Sequence, residues 1–197
     1  MRYTVRNIER EFTPAEAAEI TGVSTALQRD WRRRGILAEK VEGKWTRWTL
    51  KDVIGLAVMK RLSDAGIDVS KTLDAAAMAV LPTFGCIYAI DGAIEITGAK
   101  VPDKLLTAML YADGIQTRNS DGSPGREPGH YLFIGRDFVS EAVQTARFSS
   151  LAGMDDFLTE RTFGLFLVLD CETLGLEIFY RAGGKPLIRK EIEASHE

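Results

Sequence analysis

"GVSTALQRDWRRRGIL", residues 22–37, is the stretch on which the fold turns. Gly22-Val23-Ser24 breaks one helical pattern with a turn glycine and offers Ser24 as the N-cap of the next. Leu27 and Trp31 stand four residues apart, so on a helix they share one apolar stripe. Gln28, Arg29, Arg32 and Arg33 then fall on the remaining faces and are expected to point away from the core, with Thr25 in the first turn. Gly35 supplies the left-handed residue that commonly closes a helix. The spacing therefore predicts a helix over Thr25–Arg34 that is anchored by its tryptophan and presents its arginines.

Upstream, Thr13-Pro14-Ala15-Glu16 reads as another helix start. Thr13 can cap, proline suits the first helical position, and Glu16 can complete a capping box. The helix is expected to end near Thr21, giving helix, tight turn, helix. The second helix of such a pair is the one placed in the DNA major groove. A basic run on an arbitrary helix is usually only a solvated face. In this setting Thr25, Gln28, Arg29, Arg32 and Arg33 become candidate DNA contacts.

Downstream, Lys40-Val41-Glu42-Gly43-Lys44 and Trp45-Thr46-Arg47-Trp48 suggest a small hairpin, a wing whose Lys44 and Arg47 would hold phosphates. Thr49 with Asp52 starts a helix through about Ala65, which Gly66 ends. A further short helix, from about Asp68 or Ser70 to Val80, is expected to stop before Pro82.

The net charge of −3 is unevenly spread. Residues 1–80 hold 14 Lys+Arg against 11 Asp+Glu, and residues 81–197 hold 11 against 17. Between Thr25 and Lys51 the count is 8 against 3, which favours an anionic partner for that part alone.

The segments "FTPAEAAEITGVS", "RDWRRRGIL", "WTRWTLKDV" and "LSDAGI" together resemble the winged helix-turn-helix of MerR-type transcription regulators and of the related excisionase-like DNA-binding domains. The resemblance covers roughly the first 75 residues. Its main pieces are the Gly22-Val23-Ser24 turn, Arg29, Trp31, Gly35-Ile36-Leu37, the tryptophans flanking Arg47, and Gly66-Ile67. Three features depart from the MerR pattern. Gln28-Arg29-Asp30-Trp31 stands where the pattern has Leu-Arg-Tyr-Tyr. The wing arginine comes one residue later than usual. The long dimerising helix is expected to be missing, because Pro82 is read as a stop.

From Leu81 the character changes. Cys86–Ile90 and Ala93–Ile96 resemble a hairpin about Asp91-Gly92. Pro102-Asp103 open an expected helix to about Ala112, followed by a Gly- and Pro-rich loop over 113–129. Tyr131–Ile134 reads as a strand and Phe138–Phe148 as a helix. In the closing stretch the period-two alternation of Leu174, Leu176, Ile178 and Tyr180 argues for a strand. The expected fold is thus α+β, with a mostly helical winged helix-turn-helix domain at 1–80 and a mixed α+β domain of no recognised family at 81–197.

At 197 residues and 45% hydrophobic content the chain can bury a real core. No apolar run is long enough to span a bilayer and the N-terminus lacks a secretory pattern, so a cytoplasmic protein with no membrane partner is expected. Cys86 and Cys171 read as buried thiols, and His130 and His196 as polar surface. Asp155-Asp156 read as a helix N-cap pair. No phosphate loop, nucleophile elbow or metal-ligand spacing is present, so no catalytic residue, metal or cofactor is expected.

The function read from these residues is a sequence-specific, double-stranded-DNA-binding transcription regulator whose residues 81–197 serve assembly as a homodimer, or sensing. The alternatives are a phage-type DNA adaptor, such as an excisionase or a packaging small subunit, and a regulator whose C-terminal part binds a small-molecule effector. An enzyme is the weakest reading.

Overall fold

The computed structural model describes residues 2–38, 46–106, 130–137, 143–159 and 163–195. Helix α1 (Pro14–Thr21) starts on the expected box, with Thr13 Oγ1 accepting from Glu16 N–H and the Glu16 carboxylate accepting from Thr13 N–H at 2.8 Å. Gly22, at φ 76°, ends it and donates its N–H to Ala18. Helix α2 (Thr25–Arg33) follows from Ser24, whose hydroxyl accepts from Leu27 N–H. A second capping box, Thr49 with Asp52, starts α3 (Leu50–Asp64). Val53, Ile54, Leu56, Ala57, Val58, Met59 and Leu62 are all buried, so α3 is apolar nearly all round and forms the centre of the molecule.

A 3-10 turn (Val69–Lys71) leads into α4 (Leu73–Tyr88), which runs through Pro82. The expectation that Pro82 ends a helix is corrected. Proline removes one intrahelical bond, but Ala79, Thr83, Phe84, Cys86 and Ile87 on either side are buried in the common core. Tertiary packing outweighs the missing bond. Cys86–Tyr88 consequently lie in α4 and do not form a hairpin with the following strand, β2 (Ile94–Gly98).

Residues 103–106 are helical. Strand β3 (Tyr131–Asp137) includes the expected strand, and β4 (Val143–Phe148) replaces the C-terminal half of the expected 138–148 helix. A 3-10 turn (Ala152–Met154) joins the short α5 (Asp155–Thr159), where Asp155-Asp156 occupy the first turn. Strand β5 (Phe163–Asp170) precedes α6 (Cys171–Arg181), and β6 (Ile188–Ser195) closes the chain. The expected strand at 174–180 is therefore a helix. Asp170 caps it by accepting from Glu172 and Thr173 N–H, each at 3.0 Å, and Leu174, Ile178 and Phe179 are buried at helical spacing while Tyr180 is exposed.

Two sheets result. In the first, β6 pairs antiparallel with β1 (Arg2–Glu9) and parallel with β2, giving the order β1-β6-β2. Lys190 on β6 is fully buried, its Nζ donating to Asn7 Oδ1 at 2.9 Å and lying 5.2 Å from the Tyr88 ring. In the second, β3 pairs antiparallel with both neighbours, in the order β4-β3-β5.

The first and last parts of the chain brace each other. Residue 80/81 falls inside α4. Arg181 donates to the Ile20 carbonyl at the end of α1, and Arg10 donates to the Ala182 carbonyl and to Glu16. Arg61 of α3 is paired with Glu177 of α6. The helix-turn-helix is thus buttressed by α6, an element more than a hundred residues away.

Candidate nucleic-acid interface

Trp31 is 2% exposed and packs into the core, as its stripe predicts. Its carbonyl accepts from Ile36 N–H at 2.8 Å, fixing the exit from α2 at Gly35 (φ 70°). With the indole inside, Arg29 and Arg33 are exposed. Arg33 donates to Asp30 at 2.5 Å, but its side chain is 81% exposed, so water screens the pair. Arg34, which the sequence pattern did not single out, stands 3.8 Å from the other oxygen of Asp30. Asp30 thereby holds two arginines along the end of the helix.

Gln28 does not point outward. It is 1% exposed, its amide nitrogen donating to the carbonyls of Pro14 and Val23 at 2.9 Å each, and its Oε1 accepting from the Trp48 indole N–H at 3.1 Å. A glutamine is buried without penalty only when its amide is satisfied, and here three partners satisfy it. Its place as a DNA contact is withdrawn: it is a joint between α1, α2 and the segment at Trp48.

Arg32 is half-buried, with its guanidinium 4.4 Å over the Trp48 ring. Its Nε is buried and has no hydrogen-bond partner among the described residues. Desolvation holds its pKa below the ordinary arginine value, against the opposing pull of Asp52. Thr25 is half-buried in the first turn of α2.

Trp48 in turn forms an antiparallel bridge with Phe12, exchanging two backbone hydrogen bonds of 2.9 Å. Arg47, beside it, is exposed. Lys44 and most of the expected wing hairpin lie outside the described residues, as do the bulk of the 102–112 helix, the 113–129 loop and His196. Sequence reasoning placed Trp48 and Thr46 on one strand face but had no signal for the Gln28–Trp48–Arg32 contact, because it joins residues that only the fold brings together.

The remaining polar groups offer less chemistry. Burial pushes the Cys86 thiol up to about 12 and Cys171 up to about 11, so both stay protonated and unreactive at neutral pH. His130 Nδ1 lies 3.4 Å from Glu172. Among the described residues no three His, Cys, Asp or Glu side chains gather to hold a metal, and no helix is long and apolar enough to cross a membrane. A cleft of about 430 Å³ beside β1 and β6 is lined by Glu9, Arg10, Glu95, Lys185 and Arg189. Its Arg189 and Glu95 are paired at 2.7 Å, while Arg10 and Glu9 pair with Glu16 and Lys51.

Two capped helices joined by a three-residue turn, the second with a buried aromatic and outward arginines, make up a helix-turn-helix unit. Residues 12–72 match the family model of the MerR HTH family regulatory proteins, and this segment is MerR-like. No curated protein matches the chain.

Proposed function

We propose that the protein is a sequence-specific, double-stranded-DNA-binding transcription regulator that acts as a homodimer. The observation that carries this is the burial of Trp31 on a MerR-like helix-turn-helix, which leaves Arg29 and Arg33 facing outward. In this reading α2 enters the major groove, where Arg29 and Arg33 address the groove and its flanking phosphates and Thr25 sits at the entry. Arg32, stacked on Trp48, and Arg47 with Lys44 hold flanking phosphates. Residues 1–80 carry the DNA contacts, and residues 81–197 supply assembly or sensing of an effector. A single small unit covers little DNA, so two copies on two half-sites give the needed specificity.

Genome-wide mapping of bound sites tests the reading. Two-fold symmetric motifs at promoters support it. Binding confined to a recombination or packaging site replaces it with a DNA adaptor, and a uniform, motif-free distribution rejects sequence-specific recognition.

A further inference from the structure

Strand β5 carries a surface that the DNA contacts do not use. It pairs with β3 on one side, and among the described residues no strand pairs with its other edge. Phe163 to Leu169 read FGLFLVL, without a charge or a proline. Edge strands normally carry lysine, proline or a bulge to prevent pairing with another chain; β5 has an irregularity only at its start, where its register against β3 skips Gly164, and residues 165–169 are unguarded. On its outer face Phe166 is 42% and Val168 40% exposed, although the adjacent Phe133 is fully buried. The difference comes from α5: Phe157 packs against Phe133 and Phe148 at 5.1 and 5.3 Å between ring centroids, covering β3 and β4 and leaving β5 open.

We infer that β5 is the homodimer interface, pairing antiparallel with β5 of a second copy about a two-fold axis through Leu167. The sequence is what selects a second copy as occupant. Around Leu167 it reads Leu165-Phe166-Leu167-Val168-Leu169, which is apolar and nearly symmetric in both directions. Antiparallel self-pairing at this register sets Phe166 opposite the partner's Val168 and Leu165 opposite the partner's Leu169. Asp170 falls opposite the partner's Gly164, so no like charges meet. Such a contact is isologous: each strand meets the same sequence it presents. The two sheets become one of six strands, and Phe166 and Val168 from both copies form a continuous cross-strand apolar strip on its outer face. The inference rests on the DNA-binding reading for its purpose, the spacing of two α2 helices, while its geometry stands apart from it.

Sedimentation velocity of the full chain without DNA tests the interface. The expected result is a dimer at micromolar concentration that Val168→Lys converts to a monomer with an unchanged far-ultraviolet circular dichroism spectrum. Should Val168→Lys fail to fold, the double variant Phe166→Cys/Val168→Cys decides, because the register requires it to cross-link into a covalent dimer on mild oxidation. A wild-type monomer at high micromolar concentration, a folded Val168→Lys that remains dimeric, or absence of the cross-link overturns the proposal. A monomer that still binds duplex rejects this interface alone, whereas a dimer that ignores duplex rejects the DNA-binding reading alone.

Discussion

The guanidinium of Arg32 lies 4.4 Å above the ring of Trp48, so the outward end of α2 is fastened to the segment that carries Arg47. Arginine stacked on an indole is worth about 0.5–2 kcal/mol and fixes the direction of its remaining donors. A planar, pre-oriented guanidinium suits a phosphate, and lysine does not replace it. Arg32→Lys is expected to weaken binding to all duplexes alike, without changing base preference. Competition binding against a panel of single-base operator variants checks this, and a preference altered at one base would make Arg32 a base reader.

Gln28 gives the opposite prediction. Truncation to alanine strands the Trp48 indole N–H and the carbonyls of Pro14 and Val23 in a buried site. Leaving a buried group unpaired costs about 1–3 kcal/mol. Gln28→Ala should lower the melting temperature by several degrees, and the folded variant should retain the wild-type base preference.

Glu16 links stability to pH. Its hydrogen bonds from the Thr13 backbone and hydroxyl, with help from Arg10, hold its pKa below the ordinary 4.5. A carboxylate with a depressed folded-state pKa contributes stability that is fully present above its unfolded value and is lost as pH falls toward the folded one. Melting temperatures of wild type and Glu16→Gln should therefore differ most above pH 4.5 and converge below it. Parallel melting curves across that range would mean that the capping carboxylate contributes nothing through its charge.

Gly98 ends β2 at φ 96°, where a Cβ would lie 2.2 Å from the carbonyl oxygen of Ile192. No side chain moves out of the way of a backbone atom. Gly98→Ala is expected to cost on the order of 1–3 kcal/mol, the scale of a strained backbone site, and thermal denaturation reads it directly.

The helices of the DNA-binding unit were legible because each announces its start within four residues: Thr13 to Glu16, Ser24 to Leu27, and Thr49 to Asp52. What the sequence hid depends on distant partners. β1 has no local signal, since its pairing strand begins at Ile188. In α6 the alternating Leu174, Leu176, Ile178 and Tyr180 look like a strand, but Leu174 and Ile178 also satisfy the helical spacing, and the Asp170 cap decides between the two. Pro82 misled for a similar reason, because its penalty is local and the packing that overcomes it is not. Within the site, Trp31 and the outward Arg29 and Arg33 followed from periodicity. Gln28 did not, because its burial depends on carbonyls and an indole supplied by neighbouring segments.

Whether α2 faces DNA is read by fluorescence anisotropy of a labelled mixed-sequence duplex over a salt series, with wild type and Arg29→Ala/Arg33→Ala. If it does, wild-type affinity falls linearly in log–log form as salt rises. The double variant then binds more weakly, with a slope shallower by about 0.9 for each phosphate it no longer neutralises. Equal binding by both proteins, or no wild-type affinity at low ionic strength, would contradict that orientation.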